Sequence, residues 1–261
     1  MTAALPIRME AQFLEAAVLA WAAMCDPTRE VLALYHHERE RLYNRPSEHG
    51  DDRPWLDHYE RWFERSGMRE VLLQAIEEQP ELKRLAKGVR VLLAYRGKDE
   101  GAELFEDSQV SGSPEASRVL LLRMRAESLL DAPRALRTLR IDLTHVSDML
   151  DPEFAYDPRA LEGIEPAKRS LLLDRTMLLW GISVRCRIPG FFREDADHLV
   201  DRTRANLLRA FRNWTPERAE RLLDELRSRR RPPFRALLDQ ARFPQQEVIG
   251  APVAATSPRE S

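Results

Sequence analysis

Along most of the chain, apolar residues recur every three or four positions, the period of a helix with one buried face. This spacing predicts helices over residues 7–24 and 27–43, the second started by Asp26-Pro27. The stretch Arg45–Pro54, with two prolines and a glycine, predicts a loop. Helix then resumes over 55–65, is broken by Gly67, and continues over 68–78 and from Pro80 to Lys87. At Gly88 the pattern changes. Val89–Tyr95, Ala102–Glu106 and Val119–Arg125 are short apolar runs that suit strands, although the Leu and Met of the third also suit helix. Together they predict a small antiparallel sheet over about 88–125, with a Ser-, Gly- and Pro-containing loop at 108–117. Beyond Asp131-Ala132-Pro133, the apolar positions Leu136, Leu139, Leu143, Val146 and Leu150 predict a helix over 132–151, stopped by Pro152. Four more helices are expected between 165 and 242, and residues 243–261 read as a disordered tail. The expected fold class is α+β, mostly helical, in one domain spanning 1–242: N-terminal helices to 87, the small sheet, the 132–151 helix and the C-terminal helices.

Composition narrows the function classes. A net charge of −2 gives no global attraction to nucleic acid or acidic membranes. Two cysteines, Cys25 and Cys186, make neither a disulfide framework nor a thiolate zinc site. Ten glycines, with no phosphate-binding loop and no Gly-x-Ser-x-Gly, argue against nucleotide binding and serine hydrolysis. The apolar stretch 16–24 is too short to span a bilayer, and no leader pattern is present, so a cytoplasmic location is expected. The basic run 227–231 lacks interleaved aromatics and reads as a solvated helix end. The adjacent His36 and His37 point to different helix faces, one able to face the core and the other solvent, and make no joint metal site; His58 and His198 sit in charged helical stretches and read as surface residues.

The chemically suggestive stretch lies on the 132–151 helix, where residues 140–151 read Arg140-Ile141-Asp142-Leu143-Thr144-His145-Val146-Ser147-Asp148-Met149-Leu150-Asp151. Zincin metallopeptidases carry His-Glu-x-x-His on a helix. The two histidines, four apart, share a face and reach one zinc, while the glutamate takes the proton of the attacking water. On that spacing His145 holds the second histidine position and Asp142 the glutamate position, one methylene shorter. Ile141, which binds no metal, holds the first.

The wider pattern resembles an uncharacterised group of bacterial zincin-like proteins, over about residues 10–240. Three blocks carry the resemblance: Trp62-Phe63-Glu64-Arg65, the long block from Leu139 to Asp151-Pro152-Glu153-Phe154-Ala155-Tyr156, and Arg175-Thr176-Met177-Leu178-Leu179-Trp180-Gly181. It implies a minimal gluzincin-type core, in which a sheet edge lies beside the cleft and the helix after the motif supplies a third ligand. Gly181 stands where that acidic ligand is expected. With two of three ligand positions lost, the resemblance implies an inactive protein without a cofactor, binding a peptide or protein partner in the remnant cleft.

Two other readings stay open on the sequence. In one, an active metal-dependent hydrolase holds zinc or another divalent ion through His145 with Asp148, Asp151 or Asp174, and uses Asp142 as base. In the other, the chain is a helical scaffold unrelated to zincins, with no sheet over 88–125 and no cleft beside His145. Each motif residue also has a plainer role: His145 bonded to a carboxylate, Asp142 paired with Arg137 or Arg140, Asp151 as a helix stop.

Overall fold

The structure, a computed structural model, describes residues 5–26, 28–44, 52–107, 117–191, 196–228 and 231–242. A short strand β1 (Ile7–Met9) precedes five helices: α1 (Ala11–Met24), α2 (Glu30–Tyr43), α3 (Arg53–Arg65), α4 (Met68–Glu77) and α5 (Pro80–Leu85). Strands β2 (Gly88–Leu93), β3 (Gly101–Asp107) and β4 (Ser117–Met124) follow. Helices α6 (Ala132–Leu150), α7 (Pro166–Arg187), α8 (Ala196–Ala210), α9 (Pro216–Ser228) and α10 (Phe234–Ala241) complete the chain. The mostly helical α+β class is as expected, and of the scaffold reading's two expectations the absence of a sheet at 88–125 is not met. Among the described residues, no helix is long and apolar enough to cross a membrane. The tail at 243–261 and most of the expected loops at 45–54 and 108–117 lie outside the described residues.

The sheet corrects the expectation of an antiparallel one. Its order is β1-β2-β4-β3; β1 and β4 both run parallel to β2, and only β3 runs antiparallel, against β4. The fourth strand, β1, comes from the start of the stretch expected to be helical. Three residues show no period of their own, and their state is set by pairing with β2, Ile7 opposite Val89 and Met9 opposite Val91. Gly88 permits this approach, because a Cβ there would lie 3.2 Å from the Pro6 carbonyl oxygen. Val89, Val91, Leu120 and Leu122 alternate into the core, the period of a sheet with one covered face.

Helix α6 begins where its sequence says it must. The Asp131 carboxylate accepts from the Arg134 backbone N–H at 3.1 Å, and Pro133 sits in the first turn, where no N–H is needed. Its buried residues Ala135, Leu139, Leu143, Val146 and Leu150 join the core formed by α1–α5 and the sheet. On another face, Ile141 and Met149 pack against a second core, built from α7–α10 around Trp180 and Phe154. Helix α6 is therefore the shared wall of two cores, and the motif lies on that wall.

Candidate functional site

The i, i+4 spacing of Ile141 and His145 puts both toward α7, as a zincin helix would present its two histidines. His145 is largely buried, with its ring 5.0 Å edge-on from Trp180. Its Nδ1 lies 2.9 Å from the Ile141 carbonyl oxygen. Burial holds the imidazole pKa below its usual value, so the ring is neutral, with Nδ1–H donating to that carbonyl. Nε2 is then the nitrogen with a free lone pair. It faces Gly181 of α7: a Cβ at 181 would lie 4.0 Å from His145 Nε2.

The same Cβ position is 3.4 Å from Arg185 Nη1. Arg185 is one turn beyond Gly181 and half-buried. Its pKa is held down first by desolvation and then by a second guanidinium, Arg202. A cation therefore stands beside the position where the resemblance expects an acidic metal ligand. The i, i+4 spacing of 181 and 185 is a sequence signal that would have pointed to it.

The carboxylates expected as alternative ligands are engaged in ion pairs. Asp148 is buried, with 1% of its surface exposed. It accepts from Trp180 Nε1 at 2.7 Å and from both Arg187 Nη atoms at 2.8 and 2.5 Å. Arg231 Nη1 approaches it at 3.6 Å. Asp151 pairs with Arg231 and bonds the backbone N–H of Glu153 at 2.7 Å, contacts that hold its carboxyl below the usual range against the opposing effect of burial. Arg231 is thus a bridge to the end of α6, where a solvated helix end was expected. Asp174 is exposed on α7. Among the described residues, no three His, Cys, Asp or Glu side chains are grouped to hold a metal ion. The residues present do not fit a zincin zinc: one imidazole remains, its neighbouring carboxylates are bound to guanidiniums, and Arg185 approaches the third position.

Asp142 points the other way, toward the sheet. With Glu100, Arg125, Ser128, Thr138 and Leu139 it lines a cavity of about 160 Å³ between α6 and the end of β4. The expected pairing with Arg137 or Arg140 does not form; Arg140 instead holds Glu78 at 2.5–2.6 Å. Glu100 is occupied by Arg125 and Ser128. Burial, with Glu100 nearby, pushes the Asp142 carboxyl up to about 6. A second cavity, of about 420 Å³, lies along the first turns of α6 against α4 and the turn at Ile188–Phe191. His145 and Gly181 line neither cavity.

His58, expected at the surface, is fully buried among Tyr35, Trp55, Tyr59 and Trp62. Its charged-looking sequence context misled because Glu60, Arg61 and Glu64 occupy other faces of α3. His198 is exposed as expected, and His36 and His37 are both exposed, so neither faces the core.

Comparison with known proteins finds no match: no family model matches the sequence, and no curated protein or solved structure does.

Proposed function

We propose that the chain is a degenerate zinc-metallopeptidase-like protein, catalytically inactive, that binds a peptide or protein partner in the cleft beside the motif helix. The observation that carries this reading is the alignment of His145 Nε2 on position 181, with Arg185 Nη1 at the same place. A histidine held through Nδ1 by a carbonyl, with Nε2 facing the next helix, is the posture of a metal ligand. Here the facing position has no side chain, and a guanidinium stands beside it.

The sheet supports the partner half of the reading. Strand β3 is an edge, it runs antiparallel to its neighbour, and it packs beside α6. An extended peptide adding to that edge would extend the sheet as a fifth strand. The active-hydrolase alternative needs carboxylates around His145, and Asp148 and Asp151 are held by Arg187 and Arg231.

The test is metal content by elemental analysis of tag-free protein, beside a variant carrying Ile141→His, Asp142→Glu, Gly181→Asp and Arg185→Ala together. The expected result is no bound metal in the native chain and one zinc in the variant. Near-stoichiometric metal in the native chain would overturn the inactive reading. A folded variant without zinc would remove the zincin ancestry. Amide exchange over 101–107, measured with and without a tryptic casein peptide pool, reads the partner half: slowed exchange in β3 supports strand addition, and unchanged exchange counts against it.

A further inference from the structure

We propose that the cavity between α1, α2 and α3 binds an organic ammonium ion, held by the rings of Tyr43, Trp55 and Tyr59 and by the carboxylate of Glu15. None of the described residues lining this cavity lies on α6 or α7, and the proposal does not depend on the zincin reading. The cavity measures about 630 Å³, within the range of small-molecule pockets. Three helices each contribute to its wall: Glu15 from α1, Tyr43 from the end of α2, and Trp55 and Tyr59 from one face of α3.

The rings form a connected wall. Tyr43 meets Trp55 at 4.8 Å between centroids and a 68° interplanar angle, and Trp55 lies 6.1 Å from Tyr59 at 30°. The Tyr59 hydroxyl donates to Glu15 Oε1 at 3.2 Å, which ties the carboxylate to the ring wall. Ring faces carry negative potential, so such a wall with an adjacent carboxylate favours a cation that sheds its water easily. The molecule already uses one of these rings in this way: the Arg39 guanidinium sits 5.5 Å from the Tyr43 centroid without lining the cavity.

The charge balance of the lining points the same way. Among the described residues the lining acids are Glu15 and Asp52, and neither has an ion-pair partner there. Among the described residues the lining has one cation, Arg53, and it has an interaction of its own. Behind Trp55 and Tyr59 the buried His58 lies outside the cavity, with its Nδ1 3.7 Å from Glu38.

The experiment is calorimetric titration of the full chain with choline and with its neutral isostere, 3,3-dimethylbutan-1-ol. Choline is expected to bind once per chain with a dissociation constant of about 1 mM. The isostere should bind at least about tenfold more weakly, since it keeps the shape and loses the charge. Trp55→Leu should abolish choline binding, and Glu15→Gln should weaken it about tenfold, more so at low salt. Glu15 is exposed, so its variant tests the proposal even where Trp55→Leu disturbs folding. Equal binding of choline and the isostere would show an apolar pocket without cation selectivity and overturn the proposal. So would the absence of saturable choline binding, or an unchanged affinity in Glu15→Gln.

Discussion

At the scale of single residues, Asp142 and His145 sit three positions apart on one helix and titrate in opposite senses. Burial penalises the charged form of each, which raises an acid and lowers a base. Among the described residues Asp142 has no hydrogen-bonding partner to offset that penalty, and its carboxyl is pushed up to about 6 from an ordinary 3.8. The folded state therefore holds this proton more tightly than the unfolded state. Below about pH 4 both states are protonated and the group makes no difference. Between about 4 and 6 the cost of ionising it in the folded state grows, and above 6 it is fully present. Asp142→Asn should accordingly stabilise the protein at pH 7.5 by about 2 kcal/mol, a figure reduced for the partial exposure of the carboxylate, and by almost nothing at pH 4. Urea unfolding at the two pH values reads the difference, and an equal gain at both would rule out the raised carboxyl as its source. His58 and His145, both lowered by desolvation, act oppositely: the unfolded state takes up their protons first, so stability falls as pH drops through the ordinary imidazole range. Measuring each variant against its own parent at each pH separates the two effects.

At the scale of elements, α6 was legible and its partners were not. Its cap, its proline start, its apolar period and its stop at Pro152 are all local, and the observed Ala132–Leu150 falls within the expected 132–151. The role of Asp148 was not legible, because three residues after His145 is a plausible position for a ligand and equally for an ion pair. What decides between them is Arg187, which comes 39 residues later and reaches Asp148 only because α7 packs back on α6. Strand β1 escaped notice for the same reason, since its pairing with β2 spans the whole helical N-terminal region. The tie between α6 and α7 gives a sharp expectation. Asp148→Ala removes a buried carboxylate and leaves Arg187 and the Trp180 N–H without their acceptor, a loss of about 3–5 kcal/mol. Arg187→Ala leaves a buried carboxylate and should cost a similar amount, while the double variant should cost much less than the sum. Chemical denaturation of the three variants supplies the cycle. Additive losses would mean that the ion pair does not couple the helices.

At the scale of the whole molecule, the two cores share one helix, and this decides how the molecule comes apart. Leu139 and Leu143 anchor α6 in the first core, while Ile141 and Met149 hold it against the second. Asp148, Asp151 and Arg231 add polar ties from α6 to α7 and to the segment before α10, and the Phe234 N–H donates to the Phe154 carbonyl at 2.8 Å. If α6 loosens, α7–α10 lose the surface on which they pack. Leu139→Ala opens a hole only in the first core, at a residue 1% exposed, and should cost about 2–5 kcal/mol. Because the wall is shared, that loss should appear in both cores. Native-state hydrogen exchange should show the slowest amides of α9 and α10 losing protection by nearly the same free energy as those of α1 and β2. If the second core held α7–α10 together by itself, α9 and α10 would keep their protection in the variant. The motif helix would then be a removable layer on an independent helical unit, and the cleft beside it would lie between two bodies able to move apart.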